Sequence, residues 1–246
     1  MSDPKLPPKD VEKYASEFLA SNLKWAQRMN QAFPQYFPNS SAKQEPKILW
    51  VGCSDSRVQE SDATTSLPGN VFVHRNIANQ FHLDDDNALS VLAYALAELG
   101  AQHVVIVGHR HCGGAISAMN EAARAPEPGK AKLQLTPSYS PLGRNVLHSS
   151  HITDKQDETP RDPKEALSRW LVPLVGHIRQ LALPKQEEVA LDVIIEENVK
   201  VQVNNLTKLD SFIKKSAKAR PVWVHGWVYD FSTGFVKDLE ITQVLG

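Results

Sequence analysis

Apolar side chains recur at helical spacing from Val11 to Met29 (Tyr14, Phe18, Leu19, Leu23, Trp25, Met29), until Pro34 and Pro38 break the pattern. This predicts a helical arm within residues 1–40. A polar stretch, Asn39 to Lys47, leads into Ile48-Leu49-Trp50-Val51, the first run with strand character. Val71-Phe72-Val73, after a Pro68-Gly69-Asn70 turn, reads as a short buried strand. Asp84-Asp85-Asp86 then offer N-cap carboxylates to a helix reaching Leu99, with Leu89, Leu92, Ala93, Leu96 and Leu99 as its apolar face and Gly100 as its C-cap. Val104-Val105-Ile106-Val107 is wholly apolar and β-branched, the pattern of a central parallel strand covered on both faces.

The second half changes character. Residues 122–164 hold Pro126, Pro128, Pro137, Pro141, Pro160 and Pro163 among many Ser, Thr and His, and read as an irregular loop excursion too long for a simple connector. Glu165 to Leu183 is helical with a disturbance expected at Pro173. Glu187 to Leu209 mixes β-branched residues with charged flanks, and its length decides for helix. Val222–Val228 and Phe235–Val244 read as a closing strand pair turned at Ser232-Thr233-Gly234. Strand, crossover helix and strand in this order predict an α/β fold: a mostly parallel central β-sheet flanked by helices, with the N-terminal helical arm. The 246 residues fit one domain spanning 1–246.

Composition narrows the function. Hydrophobic residues make up 41% and charged residues 22%, and the net charge of −1 gives no general attraction to nucleic acid or to an anionic membrane. The N-terminus MSDPKLPPKDVEKY has no apolar signal core and carries Asp3, Asp10 and Glu12, and no apolar run approaches the ~18 residues that span a bilayer, so a cytoplasmic protein is expected. The sequons at Asn39-Ser40-Ser41 and Asn205-Leu206-Thr207 carry little weight without a secretory signal. Only two cysteines occur, Cys53 and Cys112, and a chain of this size does not need a disulfide.

The chemistry gathers after two apolar runs. Gly52-Cys53-Ser54-Asp55-Ser56-Arg57 follows the first, and Gly108-His109-Arg110-His111-Cys112-Gly113-Gly114 follows Val104–Val107. In open α/β sheets the ligand crevice lies at the carboxyl ends of strands. Thiolate and imidazole suit Zn²⁺, and a catalytic zinc keeps three protein ligands and one open position for water. With two cysteines in all, a closed Cys₄ or Cys₃His site cannot be built within one chain, so Cys53, His109 and Cys112 plus water is the natural count. Gly113-Gly114 lets backbone pass close to metal or substrate. Beside a metal, Arg57 would hold Asp55 ionised and Asp55 would accept a hydrogen bond from the metal's water, or, with Arg57 swung away, take the fourth position itself.

C-S-D-S-R followed by H-x-x-C-G-G, with Arg75-Asn76-Ile77-Ala78-Asn79 between them, resembles the β-class carbonic anhydrases, and the wording around Leu67-Pro68-Gly69 is similar to fungal members. The resemblance implies one Zn²⁺ per subunit on Cys53, His109 and Cys112, and a catalytic dyad of Asp55 and Arg57. It implies a carbon dioxide pocket from Gln44, Phe72, Ile77, Tyr94 and the Gly113 backbone, partly supplied by the neighbouring subunit, hence a homodimer or a dimer of dimers. The implied reaction is reversible hydration of carbon dioxide to bicarbonate by zinc-bound hydroxide, with His111 or His74 as candidate proton shuttles and His148 and His151 as surface residues. Arg110-His111 between the ligands is bulkier than usual in that family. Three rivals compete: a carbonyl sulfide or carbon disulfide hydrolase on the same scaffold, a non-catalytic zinc- or bicarbonate-binding regulator, and a redox pair in which Cys53 and Cys112 join reversibly.

Overall fold

The computed structural model describes residues 8–124 and 162–246. The excursion expected over 122–164, with His148 and His151, lies mostly outside the described residues; at its edges one helix runs on to Ala123 and another starts at Pro163.

The N-terminal arm is α1 (Pro8–Ala32), longer than the apolar pattern alone marks, followed by α2 (Tyr36–Ala42) in what reads as a polar connector. Pro38 is tolerated there because it sits in the first turn, where its missing N–H has no intrahelical partner to lose. Among the described residues the arm is little covered: α1 leaves Phe18 77% and Leu19 73% exposed, and the ring of Trp25 packs edge-on against Tyr36 and Phe37 of α2.

Then come β1 (Ile48–Cys53), α3 (Glu60–Thr64), β2 (Val71–Asn76), α4 (Asp86–Ala97) and β3 (His103–His109). Asp85 caps α4 by accepting the Asn87 N–H, and Gly100, at φ +73, takes the left-handed conformation that ends it. After β3 follow α5 (Gly113–Ala123), α6 (Pro163–Ile178), α7 (Glu187–Thr207), α8 (Asp210–Ser216), β4 (Val222–Asp230), β5 (Phe235–Asp238) and β6 (Gln243–Leu245). The α6 helix continues through Pro173, and the ambiguous segment is helical as α7. The closing strand is broken in two: β5 and β6 pair antiparallel with opposite ends of β4, and Glu240 between them has φ +57.

The sheet order is β2-β1-β3-β4-β5, with β6 also on β4; β2, β1, β3 and β4 are parallel. One face carries the main core, where Leu49, Val51, Val104, Ile106, Val222 and Val224 pack under residues of α4 to α8. α7 presses so close that a Cβ on Gly108 of β3 would meet Val199 Cγ2 at 2.8 Å. The other face holds a smaller cluster, Trp50, Val105 and Val107, against Ala63 of α3 and Trp227. Both faces are thus apolar, which is why these strands read as unbroken hydrophobic runs. Among the described residues no helix is long and apolar enough to cross a membrane.

Candidate metal centre

Adjacent parallel strands deliver two of the reactive side chains to one edge. Gly52 of β1 pairs with Val107 of β3, so Cys53 and His109 leave the sheet side by side at its carboxyl end. The chain then reverses through His111, held at φ +51, and Cys112 becomes the N-cap residue of α5. The amide N–H groups of Gly114 and Ala115 at the head of α5 offset only part of what pushes the Cys112 thiol up.

The ligand atoms of Cys53, His109 and Cys112 lie within 4.8 Å of one another, and all three residues are buried. The sulfurs are 3.9 Å apart, far beyond the ~2.05 Å of a disulfide. Two sulfurs each ~2.3 Å from one tetrahedral ion would stand about 3.8 Å apart. His109 Nδ1 lies 2.9 Å from the Arg110 carbonyl oxygen; donating its proton there leaves Nε2 with the free lone pair. That Nε2 is buried and has no partner among the described residues, an expensive state for a polar atom unless a ligand takes it up. Donor chemistry, spacing and the orphaned nitrogen all fit a zinc ion. The hydrogen bond with Cys112 pushes Cys53 down, while Cys112 is pushed up by its partner and by burial.

Asp55 and Arg57 form a bidentate pair beside the cluster. Arg57 Nε donates to Asp55 Oδ1 at 2.9 Å and Nη2 to Oδ2 at 2.7 Å, while the Arg57 amide donates to Oδ1 at 3.0 Å. These bonds hold the Asp55 carboxyl well below the usual carboxylate range. Oδ2 stands 4.0 Å from His109 Nε2, facing the space the three ligand atoms enclose. The loop carrying Asp55 is held from below by Arg75, whose Nε donates to the Cys53 carbonyl at 2.8 Å and whose Nη2 donates to the Asp55 carbonyl at 2.5 Å.

The remaining candidates separate into two groups. Ile77 and Gly113 sit near the cluster: a Cβ on Gly114, next to Gly113, would lie 2.8 Å from Ile77 Cγ2. Phe72, Tyr94 and Gln44 do not. Phe72 pairs with Leu49 near the start of β1 whereas Cys53 pairs with Asn76 at its end, so roughly 13 Å of strand lies between them. Phe72 stacks on Tyr94 with centroids 5.8 Å apart, Tyr94 remains 49% exposed, and Gln44 lies against Gly69. His111 is exposed, whereas His74 is buried and lines a cleft of about 570 Å³ together with Ser54, Ile77, Asp85 and Trp170.

Several contributors escape a reading of the sequence. Phe231, in the turn after β4, places its ring 4.2 Å from the Arg57 guanidinium carbon and also approaches His109 and His111. Buried Gln80, Asn198 and Gln202 form an amide network behind the cluster. The signal available was a pair of polar residues, Asn198 and Gln202, one helical turn apart on the otherwise apolar face of α7.

Comparison with known proteins places this geometry. A family model described as carbonic anhydrase matches residues 48–236. The chain is 30% identical over 244 residues to a carbonic anhydrase of Emericella nidulans, covering 98% of this chain and 90% of that one. It is 40% identical over 139 residues to a carbonic anhydrase of Saccharomyces cerevisiae, covering 54% of this chain and 62% of that protein. Among solved structures, a tetrameric β-carbonic anhydrase from Sordaria macrospora superposes with a TM-score of 0.70 at 30% identity, over 95% of this chain and 99% of that one. The β-carbonic anhydrase CafA of Aspergillus fumigatus gives 0.63 at 29% identity, over 92% and 91%.

Proposed function

This chain belongs to the carbonic anhydrase family, in its β-class, and on that premise we propose that it hydrates carbon dioxide reversibly with one zinc ion per subunit held by Cys53, His109 and Cys112. The observation that carries the reading is the buried, open three-ligand cluster with an unpartnered His109 Nε2 and an ionised carboxylate facing it. Zinc, when bound, supplies a Lewis acid that brings the pKa of a water toward about 7.

The chain's own residues do the rest. Arg57 keeps Asp55 anionic and turned so that Oδ2 faces the enclosed space, where it accepts a hydrogen bond and fixes the direction of the nucleophile. The paired guanidinium also keeps this carboxylate from closing on the metal. Ile77, beside the ligands, excludes water from the path of an apolar substrate, and the Gly113 backbone leaves room for it. Because Phe72, Tyr94 and Gln44 lie at the far end of β1 and β2, they serve a second subunit's cluster in a homodimer, which a dimer of dimers can extend. The exposed apolar face of α1 supports such pairing, since it finds no cover among the described residues. Two reduced thiols 3.9 Å apart also suit a reducing compartment such as the cytosol.

Rapid mixing of zinc-loaded protein with carbon dioxide at alkaline pH tests the proposal directly. Fast proton release is expected. No hydration with zinc stoichiometrically bound would refute it, and faster turnover of carbonyl sulfide would reassign the substrate.

A further inference from the structure

The turn between β2 and α4 contains two consecutive non-glycine residues in the left-handed region, Ala78 at φ +62 and Asn79 at φ +45. An alanine adopts this conformation only where its surroundings impose it. Here they do. The Ala78 carbonyl accepts Gln80 Nε2 at 2.8 Å and Asn198 Nδ2 at 2.9 Å, and Asn198 Oδ1 is itself held by Gln80 Nε2 at 2.7 Å and Gln202 Nε2 at 2.9 Å. These amides are almost completely buried, so the clamp is fixed to α7 and not to solvent.

What the clamp presents is the peptide just before it. The amide N–H of Ala78 donates to the Cys53 sulfur. The carbonyl of that same peptide, Ile77 O, accepts the indole N–H of Trp170 on α6 at 2.9 Å. The peptide cannot slide away from the cluster, because the start of α5 backs it: a Cβ on Gly114 would lie 2.9 Å from Ala78 Cβ and 3.2 Å from its nitrogen. Trp170 is in turn seated on the His82 ring, centroids 4.3 Å apart. Indole N–H, peptide carbonyl, peptide N–H and sulfur therefore form one directed chain, and a hydrogen bond accepted at the carbonyl strengthens the donor at the other end of the same amide.

We propose that Trp170 is a positioning residue for the metal ligand Cys53, acting through the Ile77–Ala78 peptide to aim and strengthen the hydrogen bond that moderates the charge this sulfur gives to the metal. The inference rests on the reading of Cys53, His109 and Cys112 as metal ligands. The need for it follows from the ligand set: two thiolates donate more charge than imidazoles do, and a polarised amide on one of them withdraws part of it.

The test replaces Trp170 in the full-length protein with phenylalanine, W170F, and with the benzothiophene analogue of tryptophan, which keeps the shape and loses only the N–H. The analogue secures the experiment if W170F folds poorly. Cobalt-substituted protein reports the donor strength of its thiolates through the sulfur-to-cobalt charge-transfer bands, and competition with a chromophoric chelator reports zinc affinity. The expected result is a shift of those bands to lower energy in both replacements, with zinc affinity lowered about tenfold, the lower end for partners that orient a ligand. L167A, on the same cleft but outside the chain of bonds, should leave the bands in place. Unmoved bands in the benzothiophene protein overturn the proposal, whether or not affinity falls, because affinity loss alone marks a structural role. If the unaltered chain binds neither zinc nor cobalt, it is the metal reading that fails.

Discussion

The adjacent glycines that open α5 make a matched pair of perturbations with opposite expected signs. Replacing either with alanine removes backbone freedom from the unfolded chain and improves helix propensity, a gain of up to about 1 kcal/mol. At Gly113 nothing among the described residues lies within 4 Å of the new methyl, so that gain should survive. At Gly114 the methyl would meet Ile77 Cγ2 at 2.8 Å, Ala78 Cβ at 2.9 Å and Ala78 N at 3.2 Å. Ile77 can turn its side chain, but Ala78 is held at its carbonyl by Gln80 and Asn198 and has no easy retreat. Overpacking of this kind costs about 1–3 kcal/mol, so the clash wins and G114A should be destabilised by roughly 1–2 kcal/mol net. For a chain of this length that is a fall of about 2–8 °C in Tm, while G113A should hold or rise by up to about 4 °C. Thermal unfolding followed by circular dichroism, at fixed protein and zinc concentration, measures both. A G114A protein melting at or above G113A would refute the account of why the chain needs a glycine there.

Other expectations are as direct. Asp55→Asn should leave zinc bound but slow hydration, read by metal analysis beside rapid-mixing kinetics; full activity would remove the carboxylate from the mechanism. Phe231→Leu removes the ring from the exposed Arg57 guanidinium and should lower kcat/KM about two- to fivefold, with Phe231→Trp restoring it. Burial pushes His74 and His82 below the ordinary histidine range, so the folded state favours their neutral forms; the stability this gives is complete above about pH 6.5 and declines as pH falls through their lowered values. Asp55, depressed from a carboxylate value, loses its contribution only at much lower pH, so urea unfolding of metal-free protein at pH 7 and pH 5 reads the lowered histidines, His225 among them, and His82→Gln should reduce the difference. Finally, Phe18→Glu with Leu19→Glu on α1 should shift the assembly toward monomer by analytical ultracentrifugation without lowering zinc content, because neither residue supports the chain's own core.

What the sequence reveals follows the range of the interactions involved. Strand runs, the α4 cap at Asp85 and the break at Gly100 are local, and β1, β3 and α4 are legible from a few residues each. The convergence of Cys53, His109 and Cys112 could be anticipated because both segments follow strands of one parallel sheet, whose carboxyl ends meet. The clamp on Ala78 could not, since Asn198 and Gln80 bond across 118 positions and a buried amide on a helix looks like any polar residue until its partner is known. Phe231 is equally silent: it follows β4 in a turn, where an aromatic residue carries no signal of the guanidinium it will cover. The division of the last strand into β5 and β6 is not legible in the sequence because the kink at Glu240 is made by a residue with no turn preference of its own.

The order of segments along the chain has a kinetic meaning. In an unfolded chain His109 and Cys112 remain neighbours on the same short loop, whereas Cys53 reaches them only after β1 has found β3, a non-local pairing that pays its closure entropy before any reward. Metal captured early would thus be held by two donors and released easily, and firm retention would begin only once the parallel strands are in register. From that point a bound ion would act as a rivet between β1, β3 and the head of α5, so the three bonds proposed to prepare the reaction would also slow the separation of strands that no disulfide joins.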